Sequence, residues 1–390
     1  MFYTRVGVRL QKAARFPRNS ACPYATTTAY STPAPHASRL TESDVVAARA
    51  YCSNLVQNFD SPSHTLQPFI PPSSRDAYLS IRALNIELAR IPELVSNPTV
   101  GALRMQFWRD NLTRTFANTP PKEPVAILLH HALALLQSQN PGISTSVMKG
   151  WFMKVVNARE QYMDDRPYTD MAALEAYAEN TYSTLMYLTL AALPMHSMAA
   201  DHVASHIGKA VGIAAVIRGL PLLAFPPPPN HHSNNAGFNG SLGTSAGARH
   251  GAVVLPLDIM AEAGVKEEEV FRLGANAPGL KDAIFTVATR ANDHLITARE
   301  MVKNLQQGRD AGHDFEHEGE EGHSYAETTK NDTQADDLEK AFGVFMPAVA
   351  TKLWLEKLEK HDFDVFRSEL RAREWTLPWK AYWAYSRRRI

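Results

Sequence analysis

The sequence predicts an all-α protein, and three observations favour that fold class. Apolar residues recur at helical spacing; Ile81, Leu84 and Leu88, for example, fall on one side of a helix. The segments at 171–193 and 200–220 are long and apolar enough to be central helices of a bundle. The chain lacks the series of short segments with alternating apolar and polar residues that the strands of a sheet would give. We therefore expect a helical bundle.

The breaks between the predicted helices fall at prolines and at polar segments. Ser73 and Ser74 are suited to cap the first helix, and Pro98 is suited to begin the second. The predicted helices lie at residues 75–91, 99–116, 124–139, 145–160, 171–193, 200–220, 280–305 and 336–360. Residues 226–250 are rich in Pro, Gly, Asn and Ser, and residues 307–337 are acidic and polar, so we predict low-complexity loops at both places.

The N-terminal segment has the features of a mitochondrial presequence. It is rich in hydroxyl residues, and no acidic residue precedes Glu42. If its first residues form a helix, Arg5, Arg9 and Lys12 lie on one face and apolar residues on another. We predict a disordered presequence over residues 1–41; the alternative is a disordered basic tail without a targeting role.

The composition fits a single globular domain over residues 42–390 and excludes several classes of protein. The 40 basic and 40 acidic residues balance, so no basic surface for nucleic acid is indicated. Cys22 and Cys52 are too few for a disulfide framework or a cysteine zinc site. We find no unbroken apolar run of the about 18 residues that a membrane span requires. At most, a peripheral membrane contact is expected.

Residues 162–171, "YMDDRPYTDM", contain an aspartate cluster that raises the question of a metal site. A tyrosine occupies the position of the last aspartate of a DDxxD motif, and Pro167 interrupts the helix that would align the acids. Asp170 stands directly before a predicted helix, where a side-chain oxygen can cap the first backbone N–H groups. We predict that Asp170 is a helix cap and that Asp164 and Asp165 are solvated.

Six segments of the chain occur in an order that is typical of a known family. They are "AYLSIRALNIELARI", "LRMQFWRDNL", "DDRPYTDMAALEAYAENTYSTLMYL", "IGKAVGIAAVIRGLP", "VVLPLDIMAEAGV" and "PAVATKLWLEKLEKHDFDVF". In this order they resemble the squalene/phytoene synthase family over roughly residues 42–390. Within the family, "LRMQFWRD", "IRGLP" and "LPW" are more similar to a branch of mitochondrial complex I assembly factors than to the enzymes.

The resemblance implies an isoprenoid-synthase-type helical bundle and provides a test for catalysis. Enzymes of this family hold Mg²⁺ through two aspartate-rich motifs on facing helices, and the metal neutralises the diphosphate of a prenyl substrate. Here Ala89 and Glu93 stand at the first motif, and Arg218 is retained in the second, but residues 202–257 contain no Asp or Glu. The other positions of the second motif are occupied by Ala215, Gly219, Leu222 and Leu223. The resemblance therefore implies a pseudoenzyme with no catalytic residue, metal or cofactor.

Polar side chains remain at positions that correspond to the old active site. They are Arg82, Asn85, Glu87, Arg104, Gln106, Trp108, Arg109 and Arg218. One interpretation is a vestigial pocket that binds an anionic lipid or isoprenoid. The other is that these charges pair with one another and hold the bundle together, with an ion pair between Arg82 and Glu87 despite a spacing other than i,i+4.

The resemblance implies a non-catalytic assembly factor for respiratory complex I on the matrix side of the mitochondrial inner membrane. Its partners would be complex I subunits or assembly intermediates. Two alternatives stay open: an active prenyltransferase that acts on prenyl diphosphates, and a lipid-binding protein without an assembly role. The C-terminal segment at 376–390, "TLPWKAYWAYSRRRI", either contacts an anionic membrane surface or packs as a helix with a frayed basic end.

Overall fold

The structure, a computed structural model, is helical throughout the residues that it describes. These are residues 40–95, 97–139, 145–195, 197–226, 251–309 and 331–390, with side chains described from residue 336 in the last range. No β-strand occurs within these ranges, which confirms the predicted all-α class. The presequence predicted over residues 1–41 lies outside them except for Leu40 and Thr41, and so does nearly all of the loop predicted at 226–250.

Six α-helices precede residue 162 in the described part of the chain. They are α1 (Glu42–Phe59), α2 (Ser61–Leu66), α3 (Arg75–Leu94), α4 (Pro98–Phe116), α5 (Pro124–Gln139) and α6 (Thr145–Gln161). Thr41 begins α1 with a reciprocal capping box to Asp44, and Asn97 caps α4 ahead of Pro98. Ser74 stands at the cap position of α3, but its hydroxyl instead donates to the Ala192 carbonyl at 2.7 Å. The predicted cap by Ser74 is therefore wrong.

The remaining helices follow Met171. They are α7 (Met171–Ala178), α8 (Thr184–Ala191), α9 (Met198–Ala224), α10 (Leu257–Glu262), α11 (Glu267–Leu273), α12 (Leu280–Gln306), α13 (Asn331–Phe345), α14 (Pro347–Lys360) and α15 (Leu377–Arg387). A π-helical turn, Glu179–Ser183, joins α7 to α8. Short 3₁₀ turns lie at Gln67–Phe69, Pro72–Ser74, Gly274–Asn276 and Ser368–Arg371.

Two predicted boundaries near the C-terminus differ from the structure. The helix predicted at 336–360 is two helices, because Pro347 lacks a backbone N–H and begins α14 instead of continuing α13. The loop predicted at 307–337 extends too far, because α13 already begins at Asn331.

Helix α9 is the central helix of the compact unit Leu40–Ile390. Ala210, Ile213 and Ile217 on it are completely buried. A Cβ atom at Gly208 would collide with Ser183 of the π-helical turn, so the glycine permits close approach of the two elements. Contrary to our expectation, α9 is long and apolar enough to cross a membrane, with a mean hydropathy of 1.6, yet 61% of that window is buried within the protein. Its apolar character is thus accounted for by its central position.

Candidate functional site

An arginine that the sequence analysis did not select links three parts of the bundle. Arg159 on α6 donates from Nη2 to the Asn85 Oδ1 on α3 at 2.7 Å, and from Nη1 to the Tyr177 hydroxyl on α7 at 2.6 Å. Its guanidinium also lies 5.3 Å from the ring centroid of Tyr182 in the π-helical turn. Burial works against the charge of Arg159, but the neighbouring tyrosines outweigh it and raise the pKa. The guanidinium is therefore held as a cation inside the bundle.

Two predicted arginines share neighbours with Arg159, because Arg82 lies one turn from Asn85 on α3 and Tyr182 acts on both Arg159 and Arg218. Arg82 on α3 is only 5% exposed, and its guanidinium lies 5.5 Å from the Tyr78 ring centroid. Arg218 on α9 lies 4.8 Å from the Trp354 ring centroid. The Arg218 side chain is exposed to solvent, and the Asp60 carboxylate is among the groups that favour its charge.

We call Arg82, Arg159 and Arg218 the arginine cluster. None of the three forms an ion pair with a carboxylate within the described ranges. The Nε atoms of Arg82 and Arg159 are also buried without an acceptor there. Buried cations normally have a nearby anion and acceptors for all their donors. At Arg82 and Arg159 the cluster is thus short of hydrogen-bond acceptors and of a paired negative charge.

The donor set beside the arginine cluster does not fit Mg²⁺. This ion requires near-octahedral oxygen ligands, and carboxylates usually supply part of them. Ala89 on α3 and Ala215 and Gly219 on α9 have no donor atom, and the retained polar residue on α9 is the cation Arg218. No three His, Cys, Asp or Glu side chains converge to hold a metal anywhere in the described part of the chain.

The other predicted pocket residues lie apart from the arginine cluster. Glu87 accepts from the Tyr51 hydroxyl at 2.7 Å, so the expected ion pair with Arg82 does not form. Positions i and i+5 are about 140° apart around a helix, which turns the two side chains to different neighbours. Arg104 and Gln106 are exposed, and Gln106 donates to Asp110.

Trp108 and Arg109 have structural contacts of their own on α4. Trp108 is buried in the apolar core with Met105 and Leu112. Arg109 pairs with Glu160 and donates to Asn157 on α6. Of the predicted set, the structure therefore brings only Arg82, Asn85 and Arg218 to the cluster region.

The aspartates of the segment 162–171 do not converge with other potential metal ligands within the described residues. The Asp170 side chain accepts from the Ala173 backbone N–H at 2.7 Å and caps α7, which confirms the prediction. Asp164 is exposed and pairs with Arg166. Tyr168 is buried against Tyr162 and Tyr177.

A second buried polar cluster, Glu175, His206, Arg290 and His294, also escaped the sequence analysis. His294 Nε2 lies 3.0 Å from Glu175 Oε1, and the Nδ1 atoms of His206 and His294 are 3.0 Å apart. Arg290 donates to the same carboxylate. Burial alone would raise the pKa of Glu175, but hydrogen bonds from His294 and Arg290 lower it to about 2. Burial lowers the pKa of His294, so this cluster pairs a neutral imidazole with an ionised carboxylate. We call it the histidine–glutamate cluster.

A small cavity of about 250 Å³ lies away from both clusters, beside α8 and the start of α9. It is lined by Trp151, Tyr187, Leu190, Ala191, Met195, Ser197, Met198 and Asp201. None of the predicted site residues lines this cavity.

Comparison with known proteins identifies relatives over most of the chain. The squalene/phytoene synthase family model matches residues 56–226 and 241–379. A Bos taurus protein named NADH dehydrogenase (ubiquinone) complex I, assembly factor 6 is 31% identical over 332 residues, which cover 85% of this chain and 80% of the relative. The Homo sapiens protein of that name has the same identity and coverage. Its Drosophila melanogaster homolog is 26% identical over 85% of this chain and 82% of its own length.

Solved structures are similar in fold but distant in sequence. A dehydrosqualene synthase in complex with ligand has a TM-score of 0.61 at 12% identity and covers 88% of this chain and 98% of its own. A squalene synthase from Alicyclobacillus acidocaldarius has a TM-score of 0.56, also at 12% identity, and covers 83% of this chain and 97% of its own. These similarities confirm the isoprenoid-synthase-type bundle.

Proposed function

The chain belongs to the squalene/phytoene synthase family, and from that premise we propose that it is a non-catalytic assembly factor for respiratory complex I. The observation on which this rests is the similarity to complex I assembly factors over 332 residues, at 31% identity. Fold alone would not distinguish this function from prenyl transfer, because one fold supports several functions. The residues at the positions of the two metal-binding motifs distinguish between assembly and prenyl transfer.

The chemistry of the pocket opposes the alternative of an active prenyltransferase. Ionisation of a prenyl diphosphate requires the leaving group to be neutralised, which the family enzymes achieve with Mg²⁺ held by carboxylates. Ala89, Ala215 and Gly219 supply no metal ligand, and the nearby charged groups are arginines. We therefore favour a protein that has kept the bundle and part of the anion-binding charge but has lost the catalytic metal.

We place this function on the matrix side of the mitochondrial inner membrane. The basic, hydroxyl-rich segment at 1–41 supports import into mitochondria. The partners would be complex I subunits or assembly intermediates, engaged through protein contacts. An assembly factor of this kind does not turn over a substrate, so its activity is measured as the amount of assembled complex I.

We further propose that the arginine cluster binds the anionic head of a lipid or isoprenoid. The observation that favours this over internal charge pairing is that Arg82, Arg159 and Arg218 form no ion pairs with described carboxylates, and that two buried Nε donors have no acceptor there. A phosphate or carboxylate head would supply both the charge and the acceptors. Extraction of the purified protein followed by mass spectrometry tests this: wild type should yield an anionic lipid that Arg82→Met does not retain.

The first experiment is a native gel of mitochondrial membranes from a deletion strain, stained for NADH dehydrogenase activity. The complex I band should be lost and should return with the wild type. It should also return with Glu87→Ala/Glu93→Ala, which removes the acidic residues near the first motif. A normal band in the deletion strain contradicts the assembly function.

A parallel assay addresses the enzymatic alternative. Purified protein is incubated with farnesyl or geranylgeranyl diphosphate and Mg²⁺, and diphosphate release is measured. We expect no release above a protein-free control. Magnesium-dependent turnover that Glu87→Ala/Glu93→Ala abolishes would establish catalysis at an unrecognised site and overturn the non-catalytic assignment.

A further inference from the structure

Helix α15 presents one packed face and one exposed aromatic face. Leu377 and Ala381 are buried against the body of the bundle. The opposite side consists of aromatic residues that are 79%, 68%, 56% and 55% exposed, in the order Trp375, Trp379, Tyr382 and Trp383. We call these four residues the aromatic face. Trp379 and Trp383 stand at i,i+4 on α15, so their rings lie on one side of the helix, and Trp375 lies in the turn that precedes it.

Contacts beyond its packed face also tie the C-terminal end of α15 to the bundle. Arg299 Nε on α12 donates to the Ile390 carbonyl at 3.1 Å, and Gln306 donates to the Arg388 carbonyl. Arg388 pairs with Glu339 on α13. The basic end, which the sequence analysis considered to be frayed, therefore contacts α12 and α13. The rings of the aromatic face remain in solvent on the opposite side of α15.

The segment that carries the aromatic face is positively charged, unlike the rest of the domain, and Glu374, which directly precedes it, lies near Lys380. Residues 375–390 contain four basic residues and no acidic residue, whereas residues 40–374 contain 30 basic and 40 acidic residues. Lys380, Arg387 and Arg389 are exposed and form no ion pair within the described ranges. The Arg387 guanidinium lies 5.1 Å from the Trp383 ring centroid and so extends the row of rings with a cation.

We propose that the aromatic face of α15 docks onto the surface of an anionic phospholipid bilayer. Trp and Tyr are suited to the level of the lipid headgroups, because their rings are apolar and their N–H and O–H groups can stay hydrated. Lys380, Arg387 and Arg389 are placed to meet lipid phosphates, and the absence of acidic residues in 375–390 avoids repulsion. Since α9 is the central helix of the bundle, α15 supplies a peripheral contact without a membrane span. This inference names the surface through which the protein would contact the inner membrane. It rests on the proposed function only for which membrane is bound.

The test is sedimentation of the full chain with vesicles of phosphatidylcholine, with or without about 25% phosphatidylglycerol. Wild type should bind the anionic vesicles at least about tenfold more tightly than the neutral ones, because exposed cations add to aromatic burial. Trp379→Ala/Trp383→Ala should weaken this binding by about tenfold or more, and Lys380→Glu/Arg387→Glu should reduce the preference for anionic vesicles to what residues 1–39 alone provide. All variants retain residues 1–39, so any binding by that basic segment is common to them.

A matched control comes from α4, where Leu103 and Phe107 are 65% and 50% exposed and also stand at i,i+4. Leu103→Ala/Phe107→Ala should leave vesicle binding unchanged. The thermal midpoint of each variant checks folding, and little change is expected because the substituted side chains are mostly in solvent.

Three results would overturn the inference. They are failure of the wild type to bind anionic vesicles, unchanged binding by Trp379→Ala/Trp383→Ala, and an equal loss with the α4 control. If the tryptophan variant binds vesicles normally but loses the complex I band in the deletion strain, the face docks onto a protein instead. Wild type that restores complex I without binding vesicles contradicts the membrane surface and leaves the assembly function standing.

Discussion

Two polar clusters inside the same bundle deal with buried charge in opposite ways. In the histidine–glutamate cluster, Glu175 accepts from both Arg290 and His294, so the positive charge has a partner within the protein. In the arginine cluster, the buried Arg82 and the partly buried Arg159 have aromatic neighbours and form no ion pair with a described carboxylate. A cluster whose positive and negative charges are balanced within the protein needs no ligand and can have a purely structural role. Unpaired arginines lower the stability of the protein unless an external anion binds to them. The arginine cluster is therefore the better candidate for a functional site.

The comparison predicts its largest effect at Glu175. Glu175→Ala removes the carboxylate that Arg290 and His294 share, at a site where Glu175 is only 14% exposed, and removal of one partner of a buried pair typically costs about 3–5 kcal/mol. We expect the free energy of unfolding in urea to fall by that amount. Asp164→Ala is the control, because the pair of Asp164 with Arg166 is exposed and should contribute less than about 1 kcal/mol. Similar losses in the two variants would mean that Glu175 is not part of a balanced buried cluster.

The pH dependence of stability tests the same cluster without removing a side chain. His294 has a lowered pKa, so below about pH 6.5 the unfolded chain takes up its proton first and stability falls. Glu175 has a pKa of about 2 instead of 4.5. Its contribution is therefore present above pH 4.5 and is lost between pH 4.5 and about 2, for a total of about 3 kcal/mol.

The measurement is a series of urea unfolding curves from pH 7.5 downwards, for wild type and Glu175→Gln. The variant should show a flatter acid limb, because the amide that replaces the carboxylate does not titrate. Parallel limbs for the two proteins would assign the acid sensitivity to other carboxylates.

The arginine cluster should respond in the opposite direction. Arg82→Met replaces a buried cation that lacks a described ion-pair partner by an apolar side chain of similar length, so the free energy of unfolding should rise by about 1–2 kcal/mol. Complementation of the complex I band should nevertheless be lost, because the anion site is incomplete. Arg109→Met is the control: Arg109 is paired with Glu160, so its loss should destabilise and leave complementation intact. Destabilisation by Arg82→Met would show that the cluster is structural.

The sequence was sufficient for the fold class and for the loss of the metal motifs. Helical periodicity is a local property, and the stretch from 202 to 257 lacks acids whatever the alignment, so neither inference required distant contacts. The cap by Asp170 was equally local and correct. The helix break at Pro347 could have been read from the proline, and overlooking it merged two helices.

The composition of the clusters could not be read from the sequence. Arg159 and Asn85 meet across 74 positions, and Glu175 and His294 across 119, so no spacing rule joins them. The ion-pair network considered around Arg82 and Glu87 does not include a pair between them, because their positions are about 140° apart around the helix and Glu87 accepts from Tyr51. Buried polar partners are set by helix packing, which a single sequence does not specify.

The smallest predicted loss of stability is at Asp170, which differs in its contacts from Glu175 on the same helix. Asp170 begins α7 and Glu175 lies one turn further along, but Asp170 only accepts from the Ala173 backbone N–H. Asp170→Ala should therefore lower the free energy of unfolding by about 1 kcal/mol, the usual value of an N-cap, and Asp170→Ser should recover most of it. Added Mg²⁺ should change the unfolding curve of neither wild type nor variant. Two results would contradict the cap and show that the segment at 162–171 binds a metal: a loss of stability as large as that of Glu175→Ala, or a magnesium effect that disappears in Asp170→Ala. The aspartates before α7 would then be interpreted as part of an active site.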